Sequence, residues 1–304
     1  MVESSGVRTV WTASLLLLWP LWGGAQSVAL TFDDGFDPRQ QSQAAAWNAA
    51  LLDALANAHV RALFFAAGSR VDSPAGLALV QAWGQAGQAI GNHTYSHENF
   101  GSKETALPAF IADVEKNEVL LKGKPGWVRR FRFPYLKEGN TVAKRDGFRR
   151  WLKAHDYQSG AVSIDASDWY YNTRYITWRE SHSNDDPSRF RAAYLEHLWN
   201  RATYYESLSQ RVLHRSAKHV LLLHMNRINA EFLPDVIGMF RSKGWTIVSP
   251  DEAYADPLYA MVPNVLPAGE SILWSLAKQN GVAGLRYPAE DDVYEKPILN
   301  ELGL

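Results

Sequence analysis

VALTFDDG, residues 28–35, decides how this chain is read. A short, mostly apolar run of strand-type residues ends in two adjacent carboxylates, Asp33 and Asp34, and then Gly35. Asp-Gly is a strong turn signal, because glycine supplies the positive φ that other residues resist. A solvated turn therefore accounts for the pattern locally. Neighbouring residues at a strand's end point to different sides, which offers a second account: two acids with separate tasks at the rim of one pocket. Partners elsewhere in the chain must arbitrate.

Working outward, apolar strand-like runs alternate with longer helical patterns. Val28–Phe32, Val60–Ala66, Ala89–Asn92, Val128–Phe133, Gly160–Ile164, His219–Leu223 and Trp245–Val248 read as strands. Between them, QAAAWNAALLDALANA (43–58), AFIADVEKNEVLLKG (109–123) and FLPDVIGMFRSKG (232–244) have helical apolar spacing, and the last two stop at glycine. Strands separated by helices predict a mostly parallel α/β architecture, either a barrel or a doubly wound sheet. Tyr170 to Ser216 departs from the alternation, with a polar loop (ESHSNDDPS, 180–188) followed by an amphipathic helix from about Arg189. Beyond Pro250 the chain reads as an irregular, proline-rich C-terminal wrap over the core.

Composition frames the function. The 304 residues are 46% hydrophobic and carry 31 basic against 32 acidic side chains. That balance gives no broad attraction to nucleic acid or to an anionic membrane. Zero cysteines exclude disulfides, thiolate metal sites and thiol nucleophiles. Residues 1–25 read as an export signal: Arg8 in a short polar lead, the apolar centre WTASLLLLWPLW (11–22), and small residues ending at Ala25. The apolar run is too short for the roughly 20 residues that a membrane-spanning helix needs. These features predict a periplasmic or secreted protein with no stable membrane span once the leader is removed, and no motif points to a protein partner.

In parallel α/β folds, chemistry collects at the carboxyl ends of the strands. The first run delivers Asp33 and Asp34, the third His93 and His97, and the fourth Arg132 and Tyr135. The fifth delivers Asp165, Asp168 and Trp169, and the sixth His224. His93 and His97 lie four apart, the separation that puts two imidazoles side by side on a helical turn. Two histidines and one carboxylate leave a coordination position for water, as a hydrolytic zinc site requires. Such a site makes a nucleophile without cysteine or serine.

The ordered motifs TFDDG (31–35), HTYSH (93–97), RFPY (132–135), DASDW (165–169) and LLLH (221–224) resemble those of the polysaccharide deacetylases, the NodB-homology group of carbohydrate esterase family four. ALFFAAG (62–68) and IGNHTYSH (90–97) are similar to that family as well. The resemblance runs from about Val28 to Val248. It implies a deformed (β/α)7-type barrel of parallel strands, here with a long helical insertion (170–216) and a C-terminal extension (251–304). One catalytic domain would then occupy 26–304, after a leader over 1–25.

By resemblance, Asp34, His93 and His97 would hold a divalent metal, zinc first, with cobalt or another divalent ion able to serve. Asp33 would be the general base, with Arg132 against it to favour its charged form. That answers the question of the paired acids: one stays on the cation while the other remains free to take a proton. The backbone amide of Tyr135 would stabilise the oxyanion. His224 would be the general acid, oriented by Asp168, with Asp165 as an alternative for that task. Trp169 and Leu222 would close the pocket for the acetyl methyl group.

Two features depart from the family pattern. Leu136 stands where glycine commonly follows the proline-tyrosine pair, and the aromatic-rich segment 170–216 is longer than compact members need. Some of its aromatics could form a wall for sugar rings, whereas those on the helix are expected to face the core. The implied activity is removal of acetyl groups from an acetylated glycan, N-acetyl of a GlcNAc-containing chain first. An acetyl ester hydrolase using the same site, and a non-catalytic glycan-binding envelope protein, are the other readings.

Overall fold

The structure, a computed structural model, describes residues 26–287 and 292–304. The expected export leader over 1–25 lies outside these residues. Ten strands are present among them: β1 Ser27–Asp34, β2 Leu63–Ala66, β3 Ala89–Asn92, β4 Trp127–Phe131, β5 Lys137–Gly139, β6 Gln158–Ser159, β7 Ile164–Asp165, β8 Lys218–His224, β9 Thr246–Ile247 and β10 Ala268–Gly269. Eight form one parallel sheet in the order β6-β4-β3-β2-β1-β8-β7, with β9 also on β1. β1 is buried from Ser27 through Asp33, because a central parallel strand is covered on both faces and has no solvent side.

The expected strand 160–164 is instead the middle of a broken one. Gln158–Ser159 pairs with β4 and Ile164–Asp165 pairs with β8, so a single stretch of chain supplies both edges of the sheet. Gly160 N–H donates to Phe131 O and Ser163 N–H to Val220 O, which carries the stretch from one edge to the other. The sheet thereby curls on itself as the deformed barrel of parallel strands that was expected. A Cβ at Gly160 would meet the Phe65 ring at 2.6 Å and the Phe131 carbonyl at 2.8 Å, so only glycine lets the stretch cross that close to the sheet.

The three patterned helices form as read, over Ala44–Asn57, Leu107–Leu121 and Arg227–Ser242. The insertion is more helical than its composition suggested. The polar loop and the helix after it form as read, the helix over Ser188–Leu213, and a further helix, Asp168–Ser181, precedes the loop. Their aromatics fill the core rather than a glycan surface: Tyr171, Tyr175, Tyr194 and Tyr205 are buried, and Trp178, Trp199 and Tyr204 pack against the same cluster. The C-terminal wrap is also more regular than expected. Its helix Ile272–Gln279 packs on the long insertion helix, and β10 pairs antiparallel with β5.

That pairing supports a strained turn. Tyr135 and Leu136 have φ of 55° and 54°, the left-handed region that β-carbon sterics disfavour. Glycine after the Pro-Tyr pair would adopt it freely, and Leu136 does so with Glu270 N–H donating to its carbonyl at 2.9 Å. Gly269 must be glycine for this approach, since a Cβ there would stand 1.9 Å from the Leu136 oxygen.

Candidate active site

The strand ends converge as the sequence predicts. Asp33, Asp34, His93, His97, Tyr135, Asp165, Trp169, Leu222 and His224 all line one cavity of about 370 Å³, together with Arg70, Asn99 and Leu136. Arg132 and Asp168 lie just behind it, each bonded to a lining residue. The two acids reach the same cavity although strand geometry alone would send them to opposite sides. Asp34 has φ of 80°, which turns the chain at the strand's last residue. Gly35 then continues at φ 121°, where a Cβ would collide with Val71 Cγ1 at 2.7 Å.

His93 and His97 do meet, with ring centroids 5.0 Å apart, but not on a helical turn. Residues 93–97 form an irregular loop with left-handed backbone at Thr94 and His97, φ 63° and 58°. The loop is held from outside. Asp113 accepts from the backbone N–H groups of Tyr95 and Ser96, and Thr94 Oγ1 accepts from His97 N–H at 3.0 Å. Buried Asn92 accepts from Thr94 N–H and from Asn117 Nδ2, which also reaches Ala66 O. Concentrated backbone strain of this kind persists only where surroundings over-determine it, and it gathers at functional sites.

One ligand atom from each of Asp34, His93 and His97 lies within 4.8 Å of the others. His93 Nδ1 is 2.9 Å from the Arg132 carbonyl, which can only accept. Nδ1 therefore carries the proton, and Nε2 presents its lone pair toward the carboxylates. Burial pushes His93 down to about 4, which keeps the imidazole neutral, the form that binds metal. Burial alone would raise the Asp34 carboxyl, but contact with His97 and the charges of His224 and His93 hold it well below the usual range. Asp34 Oδ1 is 3.1 Å from His97 Nε2 without hydrogen-bond geometry, and it is buried with no hydrogen-bond partner. An orphaned carboxylate oxygen facing two imidazole nitrogens is the donor set a divalent cation fits.

Asp33 belongs to a different partner. Arg132 Nη1 donates to Asp33 Oδ1 at 2.6 Å, with both side chains about 2% exposed or less. The guanidinium is fixed in turn by donating to Gly160 O at 2.8 Å and to Tyr254 Oη at 3.1 Å. No local pattern points to Tyr254 or Gly160 here, because both arrive from distant segments.

Opposite stands His224, the last residue of β8 and in register with Asp33. Its Nδ1 lies 2.5 Å from Asp168 Oδ1. Asp168 Oδ2 accepts from His224 N–H, Asn226 Nδ2 and Asn229 Nδ2 at 2.9, 3.0 and 2.7 Å. This settles the geometric choice between the two aspartates in favour of Asp168 as His224's partner. Burial would lower His224, but the Asp168 carboxylate and its hydrogen bond, then Asp34 and Asp33, raise it to about 10. The folded value lies above the usual imidazole value of 6.5, so this contribution to stability is complete below about 6.5 and is lost as pH climbs through about 10. Two of the raising charges, Asp34 and Asp33, are ones that a bound cation would offset.

Comparisons with known proteins bear on the fold that carries this site. The polysaccharide deacetylase family profile matches residues 23–151. A peptidoglycan-N-acetylglucosamine deacetylase of Bacillus cereus is 29% identical over 143 residues, 47% of this chain and 46% of the relative, so the chain spans less than half of that protein. Among solved structures, a T48 deacetylase with substrate superposes with TM-score 0.51 at 21% identity, covering 76% of this chain and 92% of the other. A CE4 family pseudoenzyme from Bacillus anthracis superposes at 0.52 with 16% identity, covering 75% of this chain and 65% of that one. At such identities the superpositions speak for the fold, and a pseudoenzyme on the same fold means that the residues of the site must carry any argument about activity. The profile matches the segment that holds the first three motifs, and the fold carries the last two to the same cavity, so the chain is similar to the polysaccharide deacetylase family over residues 23–151.

Proposed function

We propose that the protein is a metal-dependent deacetylase that hydrolyses acetyl groups on a glycan outside the cytoplasm, with the N-acetyl group of GlcNAc units as first substrate. The observation that carries this reading is the arrangement of a proton acceptor and a proton donor, Asp33 and His224, on either side of the Asp34, His93 and His97 trio in one cavity. The activity of the Bacillus cereus relative supports the choice of substrate. The leader-like residues 1–25 support export.

A divalent cation on the trio, zinc first, supplies Lewis-acid polarisation of the acetyl carbonyl and a water of lowered pKa. Asp33 takes the proton from the attacking water, and Arg132 keeps its carboxylate in place. The Tyr135 backbone amide donates to the developing oxyanion. His224, held in orientation by Asp168, gives its proton to the leaving nitrogen as the C–N bond breaks, yielding acetate and a free amine. Trp169 and Leu222 enclose the acetyl methyl group and exclude bulk water.

The test is acetate release by chelated and zinc-restored protein on a chitooligosaccharide, a peptidoglycan fragment and an acetylated xylan. Metal-dependent release from an N-acetylated glycan is expected. Release from the xylan alone would make the enzyme an ester hydrolase, and bound zinc with no release from any of the three would count against a glycan deacetylase.

The pH profile gives a second check. Imidazolium is the donating form of His224, so kcat/KM should fall as pH rises through the His224 pKa. Asp168→Asn removes the main charge that raises that pKa, and the alkaline limb should move to lower pH by one or more units, on the order of a buried charge pair. An alkaline limb that stays put would dissociate His224 from it.

A further inference from the structure

The mechanism leaves one acid of the cavity unused. Asp165 closes β7, pairs in register with Leu222, and lines the cavity beside Trp169, Leu222 and His224. It is not needed to orient His224, because Asp168 does that, accepting from His224 N–H and lying 2.5 Å from its Nδ1. Among the described residues its carboxylate receives a single long hydrogen bond, from Ser167 N–H to Oδ1 at 3.4 Å. The carboxylate is half-buried and faces the cavity with acceptor capacity left over, and desolvation pushes Asp165 up despite the nearby charge of Arg201.

Behind it stands a second group with spare capacity. Arg201, on the long insertion helix, is 2% exposed. Its Nε donates to the Asp165 carbonyl at 3.2 Å and its Nη2 to Tyr205 Oη at 3.3 Å, while Nη1 is buried without a partner. Arg201 thus fixes the backbone that aims Asp165 and adds positive charge behind it. An anionic acceptor with open lone pairs, at the wall of a pocket whose other side takes an acetyl group, complements a hydroxyl donor on the same substrate.

We propose that Asp165 is a specificity-determining residue that accepts a hydrogen bond from a ring hydroxyl adjacent to the acetylated position, with Arg201 as its positioning residue. The inference rests on the glycan deacetylase reading and sharpens it: the ligand is a sugar with a free hydroxyl next to its acetamido group. An acetate that lacks such a hydroxyl leaves Asp165 unpaired. Sites built to bond a hydroxyl discriminate strongly against analogues without it, because their buried polar group then goes unsatisfied.

The experiment compares wild-type, Asp165→Asn and Asp165→Ala proteins, all zinc-loaded and checked for folding by thermal melting. The substrates are a GlcNAc oligosaccharide and 4-nitrophenyl acetate, which has no ring hydroxyl. For Asp165→Ala the ratio of kcat/KM for sugar over aryl acetate should fall about 10- to 100-fold, the range for losing a hydrogen bond to a charged group. Asp165→Asn, which keeps an acceptor oxygen, should recover part of it. Equal losses on both substrates would overturn the proposal and make Asp165 an electrostatic partner of His224. An unchanged ratio in both variants would overturn it too. Should wild-type release no acetate from the sugar, the deacetylase reading fails by itself, and calorimetric binding of the same oligosaccharide decides the inference. Binding at least tenfold weaker in Asp165→Ala sustains it, and equal affinity overturns it.

Discussion

Asp33→Asn should retain its metal and its fold while losing about 10²–10⁴-fold in acetate release, the range assigned to a general base. An amide oxygen still accepts from Arg132 Nη1, but it cannot take a proton from water. The substitution carries a stability cost, since Arg132 is 1% exposed and loses its counter-charge. Breaking a buried pair outright costs about 3–5 kcal/mol. The remaining bonds from Arg132 to Gly160 and Tyr254 should hold the loss below that range. Acetate release, metal content and thermal melting on one preparation separate the possibilities. Activity within threefold of wild type would remove Asp33 from the base role. Loss of metal would make it a ligand, an outcome with a geometric basis: His93 Nε2 lies 3.6 Å from Asp33 Oδ2 and 3.8 Å from Asp34 Oδ1.

His224→Ala should separate amide from ester hydrolysis. An amine must be protonated as it leaves, so release of acetate from an N-acetyl sugar should drop by about 10²–10⁴-fold. A nitrophenolate departs without a proton, so hydrolysis of the corresponding aryl acetate should drop far less. Parallel losses on the two substrates would mean that His224 acts on the oxyanion or the metal site rather than on the leaving group.

The residues of the site were legible because parallel strands announce themselves as short apolar runs and their carboxyl ends are where polar residues gather. VALTFDD, AIGN and KHVLLLH each fold as strands within a residue or two of their reading. Helix Asp168–Ser181 was not legible. Asp168, Tyr171 and Tyr175 stand at the i, i+3 and i+7 positions of one buried face, but only the packing of Tyr171 on His197 and of Tyr175 on Phe232 sets that face apart from the other aromatics of the segment. The loop carrying both histidines has helical spacing without a helix, because Asp113 accepts from its Tyr95 and Ser96 N–H groups while Asn117 donates to the Asn92 side chain that accepts from Thr94 N–H.

By itself, then, the order of the chain determined the parallel α/β architecture and the set of acids, imidazoles and the arginine that would face one another. Those are properties of local pattern: apolar periodicity, glycine stops and polar residues at strand ends. Only the tertiary structure decided which partner each group takes. Asp168 rather than Asp165 holds His224, Arg132 rather than a ligand holds Asp33, and Leu136 is kept in a left-handed turn by Glu270 from the far end of the chain. Hydrogen bonds and desolvation depend on distances of a few ångströms between segments that lie from about fifty to more than a hundred residues apart, and no local pattern carries that information.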